Sequence, residues 1–184
     1  MKIRKAILDF LMIRESEAGL VSKLFIFEFF QGAAIAIFYT SAVSIFLTYL
    51  PVSDLPKVFV LAAVLLWVTG FVYNKLEHHQ SIQRIILIGL LFNLALILGF
   101  KIMMPLKENP VFLFLFLASF NVVYLFNNLE FWGLASLLFD VRQSKRLFSI
   151  VSAGDIPAKM IGYISAVLIV PLIGTENLLW LAGG

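Results

Sequence analysis

The sequence predicts an all-α, polytopic membrane helical bundle, and three observations carry that expectation. Hydrophobic residues fill 61% of the 184 positions and charged residues only 14%, more apolar surface than a water-soluble domain of this size could bury in one core. The charges gather into short clusters between long apolar runs. Five of those runs reach the roughly 20 residues that a helix needs to cross about 30 Å of hydrocarbon.

Taken in order, the chain opens on a segment, 1–19, in which basic residues precede apolar ones as in a signal peptide. Asp9, Arg14, Glu15 and Glu17 interrupt it and no small-residue cleavage site follows, so it reads as a retained cytoplasmic segment. Ile3, Ile7, Phe10, Leu11 and Arg14 fall at helical spacing, which suggests an amphipathic helix on the membrane surface. Residues 20–184 form the transmembrane bundle, with helices expected at 22–50, 57–75, 82–104, 110–140 and 147–173. Proline-bearing turns at 51–56 and 104–110 separate the first from the second and the third from the fourth. A sixth apolar segment begins at Asn177 and runs to Gly184, too short to cross a bilayer. It is expected to start a sixth helix of a longer protein, the alternative being a cap on the bundle.

Orientation follows from the cations, because Lys and Arg are retained on the cytoplasmic side. With the N-terminus inside, that side holds ten: Lys2, Arg4, Lys5, Arg14, Lys23, Lys75, Arg84, Arg142, Lys145 and Arg146. The other side holds three, Lys57, Lys101 and Lys107, while Lys159 lies within a helix. The expectation is an inner-membrane protein with a cytoplasmic N-terminus.

With no cysteine in the chain, disulfides, thiolate zinc sites and cysteine nucleophiles are excluded. His78 and His79 stand in a short polar break and read as solvated loop residues. No metal-ligand spacing, nucleophile and base pair, phosphate-cradling glycine loop or nucleic-acid motif is present, so neither an enzyme nor a cofactor is expected.

Ionisable groups inside a membrane are costly and usually face a partner or a water-filled cavity. Glu28 lies a short way into the first helix and reads as an interfacial side chain reaching for water. Glu130 falls about ten residues from the end of the fourth helix, near the bilayer centre. Asn127 precedes it by one turn, and Asn121, Tyr124 and Asn128 extend the polar surface. These amides either join neighbouring helices or line a pathway. Asp155 and Lys159 are spaced i, i+4 on the fifth helix at a similar depth, so they either fix helix register as an ion pair or share a buried network with Glu130. Ser152, Asp155, Lys159, Gly162 and Ala166 form a stripe along which another helix could approach closely. Pro157 and Gly154 predict a bend or local opening in that helix.

From Glu130 to Arg146 the sequence reads E-F-W-G, then Q-S-K-R-L, followed by a glycine- and alanine-bearing helix. Glu130, Trp132, Gly133, Gln143, Lys145 and Arg146 resemble the fourth helix, cytoplasmic loop and fifth helix of the nucleotide (ATP/ADP) translocase family, part of the major facilitator superfamily. Weaker similarity covers Ile13 to Glu17, Leu55-Pro56 and the basic loop from Tyr73 to Arg84. The resemblance does not extend to the outer half of the first helix, where that family carries cations suited to phosphates and this chain has Ala33 to Thr40 without a charge.

The resemblance implies the N-terminal six-helix half of a facilitator-superfamily fold, its sixth helix incomplete, working as a membrane transporter by alternating access. Glu130 would bind substrate or a coupling proton, with Asp155, Lys159, Asn127 and Asn128 along the pathway. Arg142, Lys145 and Arg146 would anchor the cytoplasmic loop at anionic lipid. The expected partners are the bilayer, a second six-helix half or partner subunit, and a small-molecule anion, with no nucleic acid. The alternative is a transporter-derived anchor or scaffold that no longer transports, which the uncharged stretch Ala33 to Thr40 of the first helix favours.

Overall fold

The computed structural model describes residues 13–179, and every regular element among them is helical. Six α-helices follow in order: α1 Glu15–Tyr49, α2 Leu55–Glu77, α3 Ile82–Ile102, α4 Pro110–Leu138, α5 Val141–Ser152 and α6 Asp155–Ile173. Short 3-10 turns at Val52–Asp54, Met104–Leu106 and Thr175–Asn177 sit between or after them. Five stretches are long and apolar enough to cross a membrane, α5 and α6 together forming the fifth. Their outer surface suits hydrocarbon: on α2, Trp67 is 74% exposed, with Phe59, Val60 and Phe71 beside it.

Two boundaries differ from the sequence reading. Helix α1 starts at Glu15, so residues 15–19 are continuous with the helix that the sequence reading begins at 22. Glu17 explains this, since its carboxylate reaches back and accepts from the Arg14 backbone N–H, half of a capping box, while the Arg14 side chain, a donor only, adds no cap. The remainder of the proposed surface helix, 1–12, lies outside the described residues, as does 180–184 of the proposed sixth helix. The fifth span, expected at 147–173, runs from Val141 to Ile173 and is interrupted beside Gly154, where a bend or opening was expected, so it consists of two helices. Asp140 caps α5 by accepting from the backbone N–H of Arg142 and Gln143, and Gln143 Oε1 accepts from Asp140 N at 3.0 Å. The hydrogen-bond ladder then breaks at Ala153 and Gly154, and α6 restarts with Pro157 in its first turn, where a missing N–H costs least. Ser152 thus leaves the stripe it was expected to share with Asp155 and Lys159.

The closest seam is α1 on α6. Gly32 and Ala36 of α1 meet Ala158, Gly162 and Ala166 of α6, all buried, so two small-residue ridges spaced by four interlock. A Cβ at Gly162 would stand 2.8 Å from the backbone oxygen of Ala33, which only glycine avoids. Helix α4 occupies the centre and packs on α1, α2 and α3.

The buried apolar residues form two separate cores. One joins Phe38, Phe46, Leu113 and Phe116. The other, at the opposite end of the bundle, joins Val21, Leu24, Phe131, Leu147 and Val151. Between them lie residues 28–32 of α1, 124–130 of α4 and 155–159 of α6, a polar layer that neither core fills.

Candidate functional site

The polar layer has two sides. On the first, α1, α4 and α6 enclose a crevice lined by Glu28, Gln31, Gly32, Tyr124, Asn127, Asn128, Asp155 and Lys159. The Lys159 ammonium donates to Asp155 Oδ2 at 2.7 Å, and the two side chains keep 23% and 28% of their exposure. The same ammonium lies 4.9 Å from the centre of the Tyr124 ring, within cation–π range. Asp155 Oδ1 stands 2.8 Å from where a Cβ at Gly32 would fall, so that glycine admits the carboxylate against α1. Asn128 is anchored within its own helix, its side-chain amide donating to the Tyr124 carbonyl. The crevice has a volume of about 10 Å³, room for a single water. Beyond Tyr124 a ladder of ring contacts passes through Phe120 and Tyr39 to Tyr163, beside a larger cavity of about 260 Å³.

On the other side, Glu130 of α4 points to α3, away from the crevice. It is 3% exposed, and a Cβ at Gly89 would lie 2.5 Å from its Oε1. Asn93 Nδ2 donates both to Asn127 Oδ1 at 2.9 Å and to Glu130 Oε1 at 3.3 Å. Gln31 Nε2 donates to the Asn127 carbonyl at 3.2 Å. Asn127 therefore touches both sides, its side chain held by α3 and its backbone by α1. At 1.5 Å per residue, Glu130 lies about 12 Å along the axis from the Leu138 end of α4.

The structure thus separates what the sequence reading joined. Glu130 and the Asp155–Lys159 pair share a layer but not a pocket, and Glu130 meets amides instead of charges. The reason is helical phase: Asn127 and Glu130 fall on the α3 side of α4, whereas Tyr124 and Asn128 fall on the α6 side. Glu28, read as interfacial, lines the crevice with the ion pair. Asn93, Gln31 and Gly32 were not singled out. Asn93 was the one to find, as the sole polar side chain between Arg84 and Lys101.

The loop cations divide as well. Arg146 does not reach outward to lipid: its Nη2 donates to both oxygens of Glu17, at 2.7 and 2.6 Å, and Glu17 is 6% exposed. Gln143 Nε2 adds a bond to Glu17 Oε1 at 3.1 Å. Arg142 and Lys145, on the outer face of α5, are exposed. Among the described residues, no three His, Cys, Asp or Glu side chains are grouped to hold a metal ion. Among known proteins, no family model, curated protein or solved structure matches the chain.

Proposed function

We propose that this chain is half of an alternating-access membrane transporter of the facilitator type, its N-terminus cytoplasmic, with the crevice of Glu28, Asp155, Lys159 and Tyr124 as part of the solute path. The observation that carries the reading is the convergence of charged groups from α1 and α6 within the bundle, beside the break at Ala153 and Gly154. Interrupted helices at membrane depth are tolerated where they line a cavity, and transporter sites use them. The packing supports the same view. The first spanning helix lies along the fifth, α1 on α6, and the fourth lies along the second, α4 on α2. Those pairings exchange if helices one to three correspond to helices four to six, as in the inverted repeats of one facilitator half.

The solute class departs from the anion expected above. Glu28 and Asp155 against Lys159 leave one formal negative charge, and the lone ammonium is already paired. Such a site suits a solute with a cationic or hydrogen-bond-donating group, which Tyr124 and the ring ladder can also face.

A second reading, a scaffold that no longer transports, is favoured by one observation, the 10 Å³ volume of the crevice. The absence of cysteine makes the test direct. Asn128→Cys, in the protein reconstituted in vesicles, is challenged with a membrane-impermeant maleimide from each side. A moving path gives labelling from both sides, each reduced by conditions that favour the other. Labelling from neither side, or from one alone, removes the transport reading in favour of the scaffold.

A further inference from the structure

The second side of the polar layer holds a feature that the crevice does not use. Asn93 and Glu130 are 6% and 3% exposed, and Asn93 Nδ2 spends its protons on Asn127 and Glu130 Oε1. Asn93 Oδ1 and Glu130 Oε2 remain without a hydrogen-bond partner among the described residues. Two buried acceptors, on side chains joined by the Asn93 Nδ2–Glu130 Oε1 bond, ask for a donor or a cation.

The surroundings narrow the choice. Among the described residues no cation pairs with Glu130, and the ammonium of Lys159 is held by Asp155 on the other face of α4. From α1 the layer presents the Gln31 amide, from α3 Gly89 and Asn93, and from α2 the Tyr73 phenol, itself a weak acid whose ring meets Phe126. A bound metal ion would want several more oxygens, and membrane sodium sites draw them from unwound backbone. Helices α3 and α4 run unbroken through Asn93 and Glu130, so their carbonyls are committed to helical bonds. A single proton answers both acceptors: on Glu130 Oε2 it turns an acceptor into an O–H donor, and Asn93 Oδ1 is the amide oxygen able to receive it.

From this we infer that Glu130 and Asn93 form an exchangeable proton-binding site between α3 and α4, separate from the solute crevice. The exchange path is the cavity of about 220 Å³ between α1, α3 and α4, which Asn93, Gln31 and Asn127 line. Asn127 connects this site to the crevice, since its side chain answers to Asn93 and its backbone to Gln31. The existence of the site does not rest on the transport reading; only its use would.

Infrared difference spectroscopy of the protein in lipid vesicles, stepping the buffer from alkaline to mildly acidic, tests it without any substrate. The expected result is a protonated-carboxyl C=O band that grows on acidification, vanishes in Glu130→Gln, and moves to higher frequency in Asn93→Leu, where the accepted hydrogen bond is lost. Unchanged helical circular dichroism and elution volume establish that each variant is folded; if Asn93→Leu fails there, Asn93→Ala makes the same comparison. Three results overturn the proposal: no Glu130-dependent band at any pH, a band that ignores pH or the loss of Asn93, or a spectral change produced by sodium at constant pH.

Discussion

The two faces of α4 handle buried charge in opposite ways. On the α6 side, Asp155 and Lys159 neutralise each other at 2.7 Å and stay about a quarter exposed, next to a broken helix. On the α3 side, Glu130 lies deeper, between intact helices, and among the described residues its hydrogen bond comes from the neutral Asn93 amide. A charge that has a counter-charge can stand near a break and water, whereas one that lacks it is packed away with neutral dipoles. The first arrangement is sensitive to loss of either partner, and the second tolerates loss of its charge.

The largest expected effect comes from removing the seam that supports the first arrangement. Gly162→Leu drives a side chain into the Ala33 carbonyl and Ala36 Cβ, both 2.8 Å from the new Cβ, and prises α6 from α1. Loss of a folded, monodisperse protein in detergent is expected, by size-exclusion chromatography and unfolding midpoint. Next comes the ion pair: Asp155→Asn and Lys159→Met each cost on the order of 2 kcal/mol, below the fully buried case because both side chains are part-exposed. The double variant recovers much of that loss, and a denaturation double-mutant cycle measures the coupling. Glu130→Gln is the counterpart that sharpens the contrast. With no cation abandoned, it shifts stability by no more than about 1 kcal/mol in either direction. A loss equal to that of Asp155→Asn would erase the distinction between the two faces. Smallest is Trp67→Leu on the outer surface of α2, expected within about 0.5 kcal/mol because most of its side chain is exposed.

What the sequence makes legible follows from how each signal is encoded. Spans are written as unbroken apolar runs, and the expected 82–104 and 110–140 meet observed helices at Ile82–Ile102 and Pro110–Leu138. The Asp155–Lys159 pair is local, four residues apart on one helix, so spacing alone brings it together. The partition of the polar layer is not local: it depends on which way α4 turns, and a helix whose apolar residues surround it offers no amphipathic phase to read. Glu28 illustrates the point, since its depth from the end of a run is meaningless until the true start of α1, at Glu15, is known. The Arg146–Glu17 contact joins residues 129 positions apart, and no spacing rule reaches that far. A lone asparagine in an otherwise greasy helix was the one nonlocal clue available in plain text, and Asn93 was it.

Gln143 ties the start of the small helix α5 to its docking on α1. One carboxamide both fastens the beginning of that helix, through the Asp140 amide, and grips Glu17 at the start of α1. Fraying of the first turn of α5 therefore also gives up one hold on α1, and leaves Arg146, a turn further on, to keep Glu17 in place.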